Sequence, residues 1–187
     1  EIDSALVVGV EKMTDKAGHD VTAALATAAD ADDELEQGIS FVGLNALVMR
    51  RYMHEYGWKH ADFAPFSINA HANAMHNPYA RLHDKITEEQ FEKSSMVATP
   101  INLLDASPIG DGAAALILAD EETAKAMGKA VRFKAAVQVN DFLPISKRDI
   151  TQFEGAREAW ARALTECSIK LARALEPAAY AWLYRND

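Results

Sequence analysis

Apolar and polar positions along this chain fall into short blocks whose period changes several times. Ala5-Leu6-Val7-Val8-Gly9-Val10 is an unbroken apolar run with a β-branched cluster, the pattern of a central strand buried on both faces. Beyond Met13 the chain turns polar and alanine-rich, and AADADDELEQG is an acidic run that reads as a solvated helix end or loop. Phe41, Leu44, Leu47, Val48, Tyr52 and Tyr56 then recur at helical spacing between Ser40 and Gly57, which predicts an amphipathic helix over Phe41–Tyr56 with both ends marked. A second helix is expected over 63–76. Asp62 caps it, Pro65 is tolerated only in its first turn, and Pro78 disfavours helical backbone at Asn77. On that helix Asn69, Asn73 and His76 share an amide-rich side, while Phe63, Phe66, Ala70 and Ala74 form the packing side.

Thr87 and Gln90 fit a capping box for a short helix over 88–95. Gly110-Asp111-Gly112 opens a second apolar run over 113–118, again read as a buried strand. Asp120 begins a helix that Gly128 ends, and the alternation over 131–137 predicts a third strand. Thr151 and Glu154 fit another capping box, heading a long alanine-rich helix through Trp160 and Leu164. Strands alternating with helices indicate an α/β fold.

Composition narrows the function classes. Of 187 residues, 49% are hydrophobic and 25% charged, enough apolar content to build a core rather than a disordered chain. The 19 Lys and Arg against 28 Asp and Glu give a formal charge of -9, which repels polyanions and argues against nucleic acid as a partner. A single cysteine closes no internal disulfide and supplies no multi-cysteine metal site. No apolar run approaches the roughly 20 residues of a bilayer span, and the first residues lack a basic signal-peptide region, so no membrane association and a cytoplasmic location are expected. The chain also lacks an initiator Met and enters a strand within a few residues, as a fragment would.

His71 and His76 fall on different sides of a helix, and HANAMH holds no Glu or Asp to complete a zincin pattern, so no metal site is expected. His54, His60 and His83 have charged neighbours and are expected at the surface. Cys167 lies late in a helical segment without a helix N-terminus to lower its pKa and reads as a buried structural thiol. In Asp105-Ala106-Ser107-Pro108-Ile109-Gly110-Asp111-Gly112 a Ser-Pro and two glycines interrupt what would otherwise continue as strand. Two readings fit that pattern equally: a tight structural turn, or a loop whose backbone and Ser107 hydroxyl approach a ligand amide.

VVGVEKMTD, INAHANAMHNPYA, INLLDASPIGDGAAALIL and QVNDFLPISKRDITQFEGAREAW, in this order and spacing, resemble the thiolase superfamily, most of all the sterol-carrier-protein-type thiolases and their archaeal and bacterial relatives. The resemblance implies a layered αβαβα fold of two related halves with an inserted loop domain that helps to bind coenzyme A. It implies that 1–14 ends the N-terminal half's strand set, 15–99 is the loop domain, 100–129 returns to the N-terminal half, and 130–164 opens the C-terminal half. Residues 165–187 form a tail foreign to the family pattern. Ser107 matches the serine that in related thiolases hydrogen-bonds the pantetheine arm, and His71, Asn73 and Asn77 lie on what resembles the loop-domain helix.

Family chemistry is Claisen-type acyl transfer between thioesters, or its reverse, with the coenzyme A thioester as substrate and no metal or redox cofactor. It needs an acyl-accepting cysteine, a histidine and a second cysteine for proton transfer, and donors for the thioester oxyanion. The acyl-accepting cysteine would precede Glu1, and the His-Asp, Gly-His-Pro and last Cys-Gly segments are not found. The resemblance therefore implies a partial acetyl-CoA acetyltransferase-type chain with no catalytic residue, inactive alone. A sterol side-chain retro-aldolase subunit with a small OB-fold partner, and a non-catalytic coenzyme A-binding or assembly subunit, are the alternatives. It further implies a homo-oligomer, a dimer or tetramer. Arg50, Arg51, Lys59 and Arg81 are candidates for a positive patch facing the phosphates of coenzyme A.

Overall fold

The computed structural model describes residues 3–128 and 130–167. They fall into two compact units, Val10–Gly112 and the combination of Glu1–Gly9 with Ala113–Asp187. Helices and strands are mixed within one chain, in keeping with an α/β class.

The Val10–Gly112 unit is mainly helical. Helix α1 (Gly18–Ala26) buries Val21 and Ala26 and packs on α2 (Phe41–Tyr56), which buries Leu44 and Ala46. The bounds of α2 match the expectation, because both stop signals are local. The Ser40 hydroxyl accepts from the Gly43 N–H at 3.1 Å, and Gly57 ends the helix at φ +69°, a backbone state that costs glycine little. Next come a 3₁₀ turn over His60–Phe63 and helix α3 (Ala64–Ala74). Pro65 sits in the first turn of α3 as expected, but Asp62 does not cap that helix. Its carboxylate accepts from the Lys59 N–H at 2.6 Å and closes the 3₁₀ turn instead.

The packing side of α3 agrees with the expectation at Phe63 and Ala74, both half-buried, and differs from it elsewhere. Ala64 is buried and Ser67, Ile68 and His71 are half-buried, whereas Phe66 and Ala70 are exposed. Helix α3 packs against α4 and the 3₁₀ turn, and the small Ala64 is buried while the larger Phe66 is exposed. Helix α4 (Glu88–Glu92) is shorter than expected and far below the length at which an isolated helix persists. Two things hold it. The Thr87 and Gln90 side chains and N–H groups bond reciprocally at 3.2 and 2.9 Å, and Phe91 is fully buried, worth about 2–3 kcal/mol of apolar transfer. Strands β2 (Met96–Ala98) and β3 (Ile101–Asn102) pair antiparallel, Met96 opposite Asn102 and Ala98 opposite Ile101, across the cis Thr99–Pro100 bond.

In the other unit, β1 (Ser4–Glu11) and β4 (Gly112–Ala119) form a two-stranded sheet, each strand running slightly past the unit boundary. The N–H of Asp120, just beyond β4, donates to the carbonyl of Asp3, just before β1, so the end of one strand meets the start of the other. Both strands occur where expected, but neither is buried: Leu6 is 68% exposed, Val10 74% and Ile117 56%. Among the described residues each has only the other as a hydrogen-bonded neighbour, and the side chains on both faces are largely exposed. Asp120 caps α5 (Glu121–Ala126) through the Thr123 N–H, and Gly128 adopts φ +76° just beyond it.

The strand expected over 131–137 does not form, and Val131 is 96% exposed. Alternation states a preference for strand, but without a partner ladder the backbone groups have nothing to bond to. Helix α6 (Glu154–Cys167) begins later than a Thr151 cap would place it. Thr151 is buried and its hydroxyl donates to Asp149 at 2.7 Å, so the expected capping box is not made. Cys167, expected buried, is a half-exposed free thiol in the last described turn of α6. The expectation for the tail falls, from 168 onward, outside the described residues.

Candidate functional site

The segment Asp105–Gly112 is fixed at both ends within the Val10–Gly112 unit. At its start Asn102 is fully buried and bonds through both the oxygen and the nitrogen of its amide. Its Oδ1 accepts from the N–H groups of Leu104 and Asp105 at 2.8 and 3.0 Å, and its Nδ2 donates to the Phe91 carbonyl at 2.7 Å. This is the local turn that a short polar side chain makes with backbone two and three residues on. The Ser67 hydroxyl donates to the Leu104 carbonyl at 2.8 Å, tying the same turn to α3.

Asp105 completes the anchor. Its Oδ2 accepts from the Asn102 N–H at 2.8 Å and lies 2.7 Å from His60 Nε2, with the His60 and Asp105 side chains only 17% and 12% exposed. A carboxylate only accepts, so Nε2 carries the proton and donates. The imidazole stacks on Phe91 at a centroid distance of 4.8 Å and an interplanar angle of 17°. His60 is therefore not the surface residue its charged neighbours suggested; His54 and His83 are exposed as expected.

At the far end Asp111 gathers three consecutive residues. Its Oδ1 accepts from the N–H groups of Met13 and Thr14 at 2.8 and 3.0 Å, and its Oδ2 from the Thr14 hydroxyl at 2.6 Å and Lys12 Nζ at 3.1 Å. These donors, the Thr14 hydroxyl first, hold the Asp111 carboxyl well below the usual carboxylate range. The segment entering the unit and the one leaving it are thereby joined.

Between the anchors Ser107, Pro108 and Ile109 are exposed. Gly110 lies under Arg81, whose guanidinium nitrogen would be 3.3 Å from a Cβ there, so a larger residue would make the arginine shift by a few tenths of an ångström. Arg81 belongs to the turn that follows α3, and that turn is held by the residues predicted as site candidates. Asn77 Oδ1 accepts from the Tyr79 N–H at 3.0 Å, His83 Nε2 donates to the Asn77 carbonyl at 2.6 Å, and His71 Nδ1 donates to the Asp84 carbonyl at 2.8 Å. His71 and Asn77 thus bond main chain within the stretch that carries Arg81. Asn73 is exposed and makes a long 3.4 Å contact with Asn69.

Of the four candidate cations, Arg50 donates to the Thr99 carbonyl, Arg51 pairs with Glu55, and Arg81 lies against Gly110 of the loop. Among the described residues no three His, Cys, Asp or Glu side chains gather to hold a metal ion. No helix there is long and apolar enough to cross a membrane. Sequence reasoning missed His60 and Asn102. The Asn102–Asp105 spacing is a readable turn signature, whereas His60 joins from 45 residues away and leaves no local signal.

Residues 1–122 match the family model for the N-terminal domain of thiolase. The chain belongs to the thiolase family. It is 42% identical over 159 residues to the acetyl-CoA acetyltransferase of Methanothermobacter thermautotrophicus, an alignment covering 84% of this chain and 41% of that protein. It is 40% identical over 172 residues to the acetyl-CoA acetyltransferase of Methanocaldococcus jannaschii, covering 90% and 43%. This thiolase chain therefore spans about two-fifths of the length of these relatives. A solved structure, the Ltp2-ChsH2(DUF35) aldolase, superposes with a TM-score of 0.63 at 20% identity, over 89% of this chain and 45% of that one, which shows a shared fold.

Proposed function

We propose that this chain supplies the acyl-coenzyme A-binding part of a thiolase-type acyltransferase of the acetyl-CoA C-acetyltransferase kind, within a layered αβαβα fold. In this reading the Val10–Gly112 unit acts as the inserted loop domain, and the Ser107 hydroxyl meets an amide of the pantetheine arm. The observation that carries it is the Ser107 loop itself: an exposed hydroxyl on a segment held by buried polar anchors at one end and a four-donor carboxylate at the other. A turn that served only to reverse the chain would have no need of an arginine laid over its glycine. Arg81 there supplies positive charge beside the same loop, suited to the phosphates of coenzyme A.

The reaction needs a thiolate to accept the acyl group, and the chain has one cysteine. Cys167 is half-exposed in the last described turn of α6 and is not the acyl-accepting cysteine in this reading. The 187 residues are therefore expected to bind without turning over. The substrate is the thioester, and in this proposal the working form is a homo-oligomer in the cytoplasm. The retro-aldolase alternative with an OB-fold partner rests on shorter matches, 36% identity over 81 residues to the steroid side-chain-cleaving aldolase of Thermomonospora curvata and a fold match at 20% identity, and is not adopted.

Isothermal titration of coenzyme A into the full chain should show binding without thiolysis of acetoacetyl-CoA. Ser107→Ala should weaken that binding about three- to tenfold, the worth of one hydrogen bond of roughly 0.5–1.5 kcal/mol. No binding, or equal affinity of both proteins, would refute the proposal.

A further inference from the structure

His60 enters the reading above only as part of the loop's anchor, yet it is one of the most enclosed ionisable side chains in the Val10–Gly112 unit. Its ring lies on the buried face of Phe91, and its N–H ends on the carboxylate oxygen of Asp105 that also receives the Asn102 N–H. Asp105 is two residues before Ser107. On the other side of Ser107 is Pro108, whose ring confines the preceding residue to extended backbone. Ser107 is thus limited from the front by the Asp105 clamp and from behind by proline, and Ala106 is the one residue between them that neither constraint reaches. Removing the imidazole leaves Asp105 with the Asn102 N–H as its remaining donor in this network, opens space over Phe91, and frees the Asp105 side chain to turn toward water.

We propose that His60 is a positioning residue: through Asp105 it holds Ser107 in the pose that meets the pantetheine arm. This rests on the acyl-coenzyme A reading for its ligand, but its mechanical part does not. His60 keeps its own hydrogen bond and stack whether or not a ligand arrives, so the effect is one of preorganisation, in which the ordering of the loop is complete before binding.

Two measurements on the full chain separate the parts. The first is amide hydrogen exchange without ligand. His60→Ala should speed exchange of the amides at 104–107 by about tenfold or more while leaving α2 unchanged, as for a local opening. His60→Gln, whose amide N–H still reaches the carboxylate, should recover much of the protection, and it carries the test if His60→Ala does not fold. Unchanged exchange at 104–107 overturns the proposal.

The second is titration with coenzyme A. His60→Ala should weaken binding about three- to tenfold, and should cost nothing further in a Ser107→Ala background, because the two act through one contact. Equal losses in both backgrounds reduce His60 to a structural role and overturn the proposal. If the unaltered chain binds no coenzyme A, the functional reading falls and takes the named ligand with it, while exchange still decides whether His60 holds the loop.

Discussion

The carboxylate of Asp111 accepts four hydrogen bonds from Lys12, Met13 and Thr14, and so joins two segments almost a hundred residues apart in sequence. The ion pair with Lys12 is a minor part of this, since both side chains are substantially exposed and such pairs contribute little. The Thr14 hydroxyl and the two N–H groups do more, because they aim fixed donors at an acceptor that is best when ionised. The sign of the pH effect follows. The folded protein holds this carboxyl below its unfolded value of about 3.9, so its stabilisation is complete above that pH and is lost as pH falls through and below it. Asp111→Asn keeps the shape but replaces one acceptor oxygen by a donor facing Thr14 and Lys12. It should lower the melting temperature at pH 7, and the gap to the unaltered protein should narrow progressively below about pH 4. Thermal unfolding followed from pH 7 to pH 3 tests this, and a gap independent of pH would exclude the Asp111 charge as its origin.

Helices and strands differ in what their sequences could disclose. The limits of α2 and the box on α4 were legible because Ser40, Gly57, Thr87 and Gln90 act on backbone within three residues of themselves. The loop at Ser107 was legible as a loop for the same reason, through its proline and glycines, but its anchors were not: His60 and Asp105 meet across 45 residues, and no period encodes that. Strand 131–137 failed because a ladder needs a second chain segment, and the start of α6 shifted because Thr151 found Asp149 first. At that start, Gly155 carries a constraint also invisible to helix propensity. A Cβ there would stand 3.1 Å from the Asp141 backbone nitrogen and 3.2 Å from its carboxylate. In a free helix Gly→Ala gains about 1 kcal/mol. Here the crowding should reverse the sign, and Gly155→Ala should lose about 1–3 kcal/mol as overpacked sites do. Urea unfolding decides it: a stabilised variant would show that Asp141 yields freely.

Across the whole chain the largest unmet demand is apolar. Leu6, Val7, Val8 and Val10 on β1 and Leu116, Ile117 and Leu118 on β4 are all exposed, so both faces of the sheet offer branched aliphatic side chains to water. Scattered exposed leucines need no explanation, but a continuous patch on a two-stranded sheet with unpaired edges is a surface that recruits another chain. The acidic net charge opposes this only weakly, since charges farther apart than about 8–10 Å are screened at physiological salt while apolar contact is not. Sequence patterning gave the correct strands and the wrong surroundings, because it records that a segment suits burial and not whether anything buries it. The purified full chain should accordingly bind a hydrophobic dye and sediment as a concentration-dependent associated species. Val8→Lys combined with Ile117→Lys should lower both dye binding and association, while leaving the Ser107 loop and any coenzyme A binding intact, since neither residue belongs to that loop or to the side chains that anchor it. If the double variant stays associated, self-association runs instead through the exposed Phe41, Leu47 and Phe66 of the Val10–Gly112 unit. Dye-free, monomeric behaviour of the unaltered chain would mean that the sheet faces are covered in solution by residues beyond those described.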